Sequence, residues 1–119
     1  MRSALLLVTL TTCADDGVPE ACVEMCAAGA AVYGACLEDW GVSWAEAGHE
    51  DRSDFLGSCE TWAWEMSLLE ADAVDRGAPG AEGATAEACD ERRAALRAPD
   101  ATCEAWTDVD WSTPPWEAG

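Results

Sequence analysis

Residues 19–40, PEACVEMCAAGAAVYGACLEDW, hold three of the seven cysteines and determine the architecture we expect. Pro19 suits the first position of a helix, Glu20 complements a helix N-terminus, and Gly41 is a natural stop. Spacings of three and four residues separate the members of one stripe, namely Cys22, Cys26, Gly29, Tyr33, Cys36 and Trp40. This is the period of an amphipathic helix, so the three thiols are predicted to share one broad face.

The next segment gives the strongest periodic signal in the chain. Residues 53–74, SDFLGSCETWAWEMSLLEADAV, repeat the same spacing through Phe55, Cys59, Trp62, Met66, Leu69 and Ala73. A third helix is predicted over 85–98 with Cys89, and a short fourth one around Cys103 and Trp106. We therefore expect an all-α fold, a small disulfide-stapled bundle of three to four helices with an irregular C-terminal tail rich in Trp and Pro.

The composition explains why such a bundle would need staples. Alanine dominates the chain and isoleucine is missing, so little apolar area is buried for each residue that is ordered. Small exported domains commonly solve this problem with disulfides, and six cysteines provide for three: Cys22, Cys26, Cys36, Cys59, Cys89 and Cys103. Antiparallel neighbours would pair Cys36 with Cys59. Cys22 and Cys26 would then reach Cys89 and Cys103, in an order that the sequence leaves open.

The charge and the motifs exclude several functions. With 24 acidic residues against 6 basic ones the net charge is −18, which repels phosphate and makes nucleic acid an unsuitable partner. We find no nucleophile elbow, zinc-protease helix or glycine-rich phosphate loop, and His49 has no second histidine for a metal site. The sequence thus predicts a protein that is not an enzyme, with no cofactor and no metal.

The N-terminus indicates export. Arg2 precedes a short apolar run, Ala4 to Leu10, which is laid out as a secretory signal and is too short to span a membrane. Residues Leu10-Thr11-Thr12-Cys13 resemble the lipobox of bacterial lipoproteins, although a smaller residue than Thr12 is usual before the cysteine. The resemblance covers the first 13 residues and implies that Cys13 carries a lipid. It also accounts for the odd number of cysteines.

These observations divide the chain into a signal peptide (1–12), a lipid-anchored tether (13–18), a helical disulfide-rich domain (19–107) and an irregular tail (108–119). The resemblance implies attachment to a membrane of the bacterial envelope, the outer membrane in preference to the inner one, or else secretion. Four tryptophans are difficult to bury together and are the candidate surface for a protein or glycan partner: Trp44, Trp64, Trp111 and Trp116. Trp40, Trp62 and Trp106 are predicted to pack in the core.

The expected function is accordingly a non-enzymatic envelope lipoprotein that binds a ligand or acts as a surface component. The alternative is a metal-binding or thiol-redox protein that uses the helix face formed by Cys22, Cys26 and Cys36. Two thiolates one turn apart can share a metal ion, but zinc sites usually add a second close pair of ligands.

Overall fold

The structure is a computed structural model that describes residues 17–118, so the predicted signal peptide and Cys13 lie outside the described residues. The described residues form helices and turns and contain no strand, which confirms the all-α expectation. The elements are α1 (Glu20–Trp40), α2 (Arg52–Asp75), α3 (Ala84–Arg97), α4 (Glu104–Thr107) and a 3₁₀ turn (Pro115–Glu117).

Helix α1 is the central element of the bundle. It starts after Pro19 and ends at Gly41, whose φ of 70° lies in the left-handed region that a side chain would disfavour. Seven of its residues are buried: Cys22, Met25, Cys26, Gly29, Ala30, Cys36 and Leu37. By length and composition alone α1 could cross a membrane. In the described bundle the same helix packs against α2, α3 and α4 with its buried residues.

Helix α2 starts at a side-chain cap and is longer than its neighbours. Asp51 accepts a hydrogen bond from the Asp54 backbone N–H at 2.8 Å, which satisfies one of the free donors of the first turn. The predicted apolar stripe is buried as far as Met66 and again at Ala73, with Trp62 partly buried. Leu69 is the exception, since it is 49% exposed and the prediction for it was wrong.

The exposure of Leu69 follows from where α1 begins. Gly17 lies beside Trp64, so the chain that leads into α1 meets α2 near its middle. The last turns of α2 therefore extend past the start of α1, and α3 alone covers part of them. Here Glu70 accepts hydrogen bonds from the backbone N–H groups of Gly83 and Thr85, each at 2.9 Å, and so closes the N-terminus of α3.

Three disulfides fasten α1 to the rest of the bundle. They join Cys22 to Cys89 on α3, Cys26 to Cys59 on α2, and Cys36 to Cys103 just before α4. The Cα atoms are 4.9, 5.8 and 6.1 Å apart, which is normal for a bridge. The six predicted cysteines are thus all bonded. The prediction left open whether Cys22 pairs with Cys89 or Cys103, and the structure shows the pair with Cys89.

The expected pairs of Cys36 with Cys59 and of Cys26 with α3 or α4 were wrong, for two reasons. Cys26 and Cys36 are ten residues apart, so they point about 80° away from each other around α1, and only Cys26 faces α2. In addition, Trp44 from the loop occupies the space between α1 and α2, with its ring centroid 5.2 Å from that of Phe55. The two helices consequently meet nearer the N-terminus of α1, at the level of Cys26, than they would in a tight hairpin.

Candidate functional site

Aromatic rings from three distant parts of the chain meet around an open groove of about 390 Å³. We call it the aromatic groove, and its lining consists of Tyr33, His49, Phe55, Ser58, Cys59, Trp62, Trp106, Thr107 and Trp111. Helix α1 contributes one ring, the first half of α2 two, and the segment around α4 two more. Pockets of 300–1,000 Å³ that combine ring surface with a few polar atoms are typical of small-molecule sites.

The floor of the groove depends on a glycine. Trp106 lies on α1 at Gly29, where an added Cβ would come within 2.6 Å of the ring atom Cε3. Any larger residue at this position would force the indole outwards. The Cys36–Cys103 bridge holds the backbone three residues earlier, so a covalent bond and a close glycine contact together determine where Trp106 sits.

The wall formed by the tail is tied to α2 by a hydrogen bond and a cation. The indole N–H of Trp62 donates to the backbone oxygen of Trp111 at 2.8 Å, and the two rings meet edge to face at 5.0 Å. The guanidinium carbon of Arg92 lies 4.8 Å from the Trp111 ring centroid and 5.4 Å from that of Trp62. Burial lowers the pKa of Arg92, while the charges of Asp110 and Glu91 oppose that shift. Its Nη1 is buried and has no hydrogen-bond partner within residues 17–118.

The opposite wall comes from the loop after α1. His49 meets the Phe55 ring edge to face at 5.2 Å, and Tyr33 lies 5.7 Å from Phe55. Trp44 stands behind this wall, 5.8 Å from Tyr33 and 6.3 Å from His49. These contacts join the loop to both helices, and the edge-to-face arrangement brings the positive edge of one ring to the negative face of the next.

Carboxylates are the sequence neighbours of lining residues in the loop before α2, at the start of α2 and around α4. Glu50 follows His49, Asp54 precedes Phe55, Asp108 follows Thr107, and Asp110 precedes Trp111; all four acids are exposed. Hydrogen bonds from the Ser112 and Thr113 hydroxyls and backbone N–H groups lower the pKa of Asp110 to about 2. Four exposed carboxylates thus neighbour the lining residues in sequence, and the depressed pKa keeps the Asp110 carboxyl ionised at neutral pH.

The structure separates the four tryptophans that were grouped as a candidate surface. Trp111 lines the aromatic groove and Trp44 stands behind it. Trp64 lies on the opposite flank of α2, 42% exposed and beside Gly17. Trp116 is on the 3₁₀ turn, which packs against α3.

Among the tryptophans expected in the core, Trp62 and Trp106 pack on it from the groove. Trp40 is 53% exposed at the end of α1, because little packs there beyond Tyr33.

Sequence reasoning missed Tyr33, His49 and Arg92 as parts of a site. Tyr33 was considered only as a member of the apolar stripe of the first helix. No regular sequence spacing relates Arg92 on α3 to Trp111, nineteen residues later. The alternative based on the thiols of Cys22, Cys26 and Cys36 stays a prediction for the reduced chain. In the described structure their sulfur atoms are bonded, and residues 17–118 contain no cluster of three metal-ligating side chains.

The fold and the site define a class: an all-α domain whose central helix carries three disulfides and whose aromatic groove is assembled from segments far apart in sequence. No protein-family model matches the chain, and no curated protein or solved structure is significantly similar to it.

Proposed function

We propose that this protein is a non-enzymatic, lipid-anchored binding protein of a bacterial envelope that holds its ligand in the aromatic groove. The observation that carries the proposal is the groove itself, with five aromatic rings and one imidazole around about 390 Å³. Half-buried rings supply large contact areas at a small cost in side-chain entropy, which suits binding.

The disulfides support export. Three bridges in one short chain form and persist in oxidising compartments, and they would be reduced in a bacterial cytoplasm. They also use every cysteine except Cys13, which is the residue that the lipobox resemblance assigns to the lipid.

The position of the first described residues is compatible with an anchored groove. Gly17 lies against Trp64, whereas the groove contains Trp62. Two positions along a helix correspond to about 200° around its axis, so these two indoles leave α2 on nearly opposite sides. A tether of five residues between Cys13 and Pro19 spans at most about 20 Å, which keeps the domain near the bilayer. The groove then opens on the flank of α2 that is turned away from the tether.

The anchor is tested by the intact mass of the protein extracted from its native membrane fraction and alkylated without reduction. We expect a chain that starts at Cys13, carries a diacylglyceryl-type lipid and contains no alkylated thiol. A chain that starts at Met1 with alkylated cysteines would refute both export and the oxidised fold in the cell.

The binding role is tested separately with the purified, oxidised domain. Small-molecule extracts of the envelope should change the tryptophan fluorescence of the wild type and of the Trp64→Leu variant, and should have little effect on Trp111→Leu. An equal response in all three proteins would show that the groove is not the binding site.

A further inference from the structure

We propose that the ligand of the aromatic groove is an organic cation whose charge is shielded by methyl or other alkyl groups, such as a quaternary ammonium compound. This inference rests on the proposed binding function and adds the chemical class of the ligand. Three features of the groove carry it: its rings, the cation that it already holds, and its charge.

The rings supply the attraction. The face of an indole or a phenol carries negative π density, and a cation within about 6 Å of the ring centroid is stabilised by it. Tyr33, Trp62, Trp106 and Trp111 all border the same open volume. An alkylated ammonium ion loses little hydration when it enters such a space, because its methyl groups shield the charge from water.

Arg92 shows that these rings bind a cation within the protein itself. Its guanidinium lies over both Trp62 and Trp111, at 5.4 and 4.8 Å from their centroids. Arg92 is not among the lining residues, so its guanidinium does not fill the groove. A ligand cation would make the same kind of contact from the groove.

Charge complementarity selects the sign of the ligand. Glu50, Asp54, Asp108 and Asp110 adjoin the lining residues, and the whole chain carries −18. A net negative charge of this size attracts cations to the protein and repels anions such as phosphate or sulfate. Arg92 lies behind two of the lining rings, and the charges of Asp110 and Glu91 act against its positive charge.

The arrangement of the rings argues against a neutral sugar. A pyranose binds on a flat indole face and needs several hydrogen-bond partners for its hydroxyls. Here Trp62 and Trp111 meet at 86° and Trp106 and Trp111 at 44°, so the wall is folded around a volume instead of forming a platform. The lining is mostly carbon, and Ser58 and Thr107 supply its only side-chain aliphatic hydroxyls.

The decisive experiment compares two probes that differ in one atom. Choline and its neutral carbon isostere, in which a tert-butyl group replaces the trimethylammonium group, are titrated into the oxidised domain and followed by tryptophan fluorescence and proton NMR. We expect choline to bind at least about ten-fold more tightly, as one or two desolvated cation–π contacts would give. Trp111→Leu should lose this preference, and Trp64→Leu should keep it.

Surface variants keep the inference testable if the tryptophan variant does not fold. Glu50→Gln combined with Asp108→Asn removes two exposed charges beside the groove, and should weaken choline binding by about two- to five-fold at low salt. Glu60→Gln lies beside Trp64 on the other flank and should leave the affinity unchanged.

Three results would overturn the inference. Equal affinity for choline and its isostere would show that the groove recognises shape and apolar surface alone. Binding of a maltooligosaccharide without binding of choline would assign the groove to glycans. Binding of neither probe, with a response to the envelope extract that depends on Trp111, would reject the cation and leave the proposed binding function standing.

Discussion

Gly29→Ala tests whether Trp106 lies on α1 as described. A Cβ at this position would be 2.6 Å from Cε3 and 3.1 Å from Cη2 of the indole, whereas ordinary contact begins at 3.4 Å. The ring would have to move outwards, yet it already packs against Trp111 at 4.5 Å and Phe55 at 5.1 Å. The Cys36–Cys103 bridge restricts the backbone nearby, so the backbone cannot easily shift to relieve the strain.

The loss of stability expected for Gly29→Ala is best measured against the same substitution at a second helical glycine, Gly57. A Cβ on Gly57 of α2 would meet nothing within 4 Å, so Gly57→Ala should stabilise the domain by about 1 kcal/mol through helix propensity alone. Gly29→Ala gains the same propensity but incurs an overpacking cost of about 1–3 kcal/mol. The propensity terms cancel in the comparison, so Gly29→Ala should be less stable than Gly57→Ala by about 1–3 kcal/mol.

The assay is equilibrium unfolding in urea, with the disulfides intact and with the tryptophan signal and far-UV circular dichroism recorded together. Coincident transitions with an unchanged m-value would allow the midpoints to be read as free energies of unfolding. In a Trp106→Leu background, which relieves the close contact, the penalty of Gly29→Ala should largely vanish.

The reasoning would be refuted if Gly29→Ala stabilised the domain as much as Gly57→Ala. Trp106 would then not rest on α1, and the floor of the aromatic groove would have to be built differently. A penalty of Gly29→Ala that persisted in full without the indole would point to the same conclusion, since it would arise from another contact.

Three further predictions concern the bridge, the cap and the turn. Replacing Cys36 and Cys103 together by Ala should lower the free energy of unfolding in urea by about 2–4 kcal/mol and weaken the near-UV tryptophan signal, because α4 is released; an unchanged near-UV spectrum would contradict it. Glu70→Ala should cost about 1–2 kcal/mol in the same assay because the N–H groups of Gly83 and Thr85, at the start of α3, lose their acceptor, with Glu70→Gln intermediate. The Asp110 carboxyl should titrate by NMR with a pKa of about 2. Because this pKa is depressed on folding, the contribution of the turn to the free energy of unfolding is complete above the ordinary carboxyl pKa and is lost as the pH falls through the folded pKa. A titration midpoint near the ordinary value of 3.8 would contradict the hydrogen bonds of the turn.

The helices could be predicted because their signals are local. The predicted range 53–74 differs from Arg52–Asp75 by one residue at each end, since capping by Asp51 and a regular apolar spacing both act within a few residues. The same holds for α1, where Pro19 and Gly41 bound the helix. The composition also led to the expectation of a disulfide-stapled bundle, and three bridges are present.

The pairing of the cysteines and the groove could not be predicted, because both depend on how the helices cross. Cys26 and Cys36 are ten residues apart, about 15 Å along α1, so the level and the side at which α2 meets α1 decide which of them bonds to Cys59. Trp44 packs on Phe55 at this crossing, and its position in the loop carries no periodic signal. The contact of Arg92 with Trp111 likewise depends on the path of the tail over α3.

The scarcity of large apolar residues in the core and the presence of the groove have a common origin. The central helix contributes mainly cysteine, glycine and alanine to the interior, so little space is left for large rings between the helices. Phe55 is buried, at 3% exposed, whereas no tryptophan within residues 17–118 is. Three bridges, all of which involve α1, fasten this thin bundle together. Trp62, Trp106 and Trp111 are left partly buried at the edge of the core, where they pack on it and line the groove. The disulfides thereby allow a domain of this size to hold its helices together while these rings stay partly exposed.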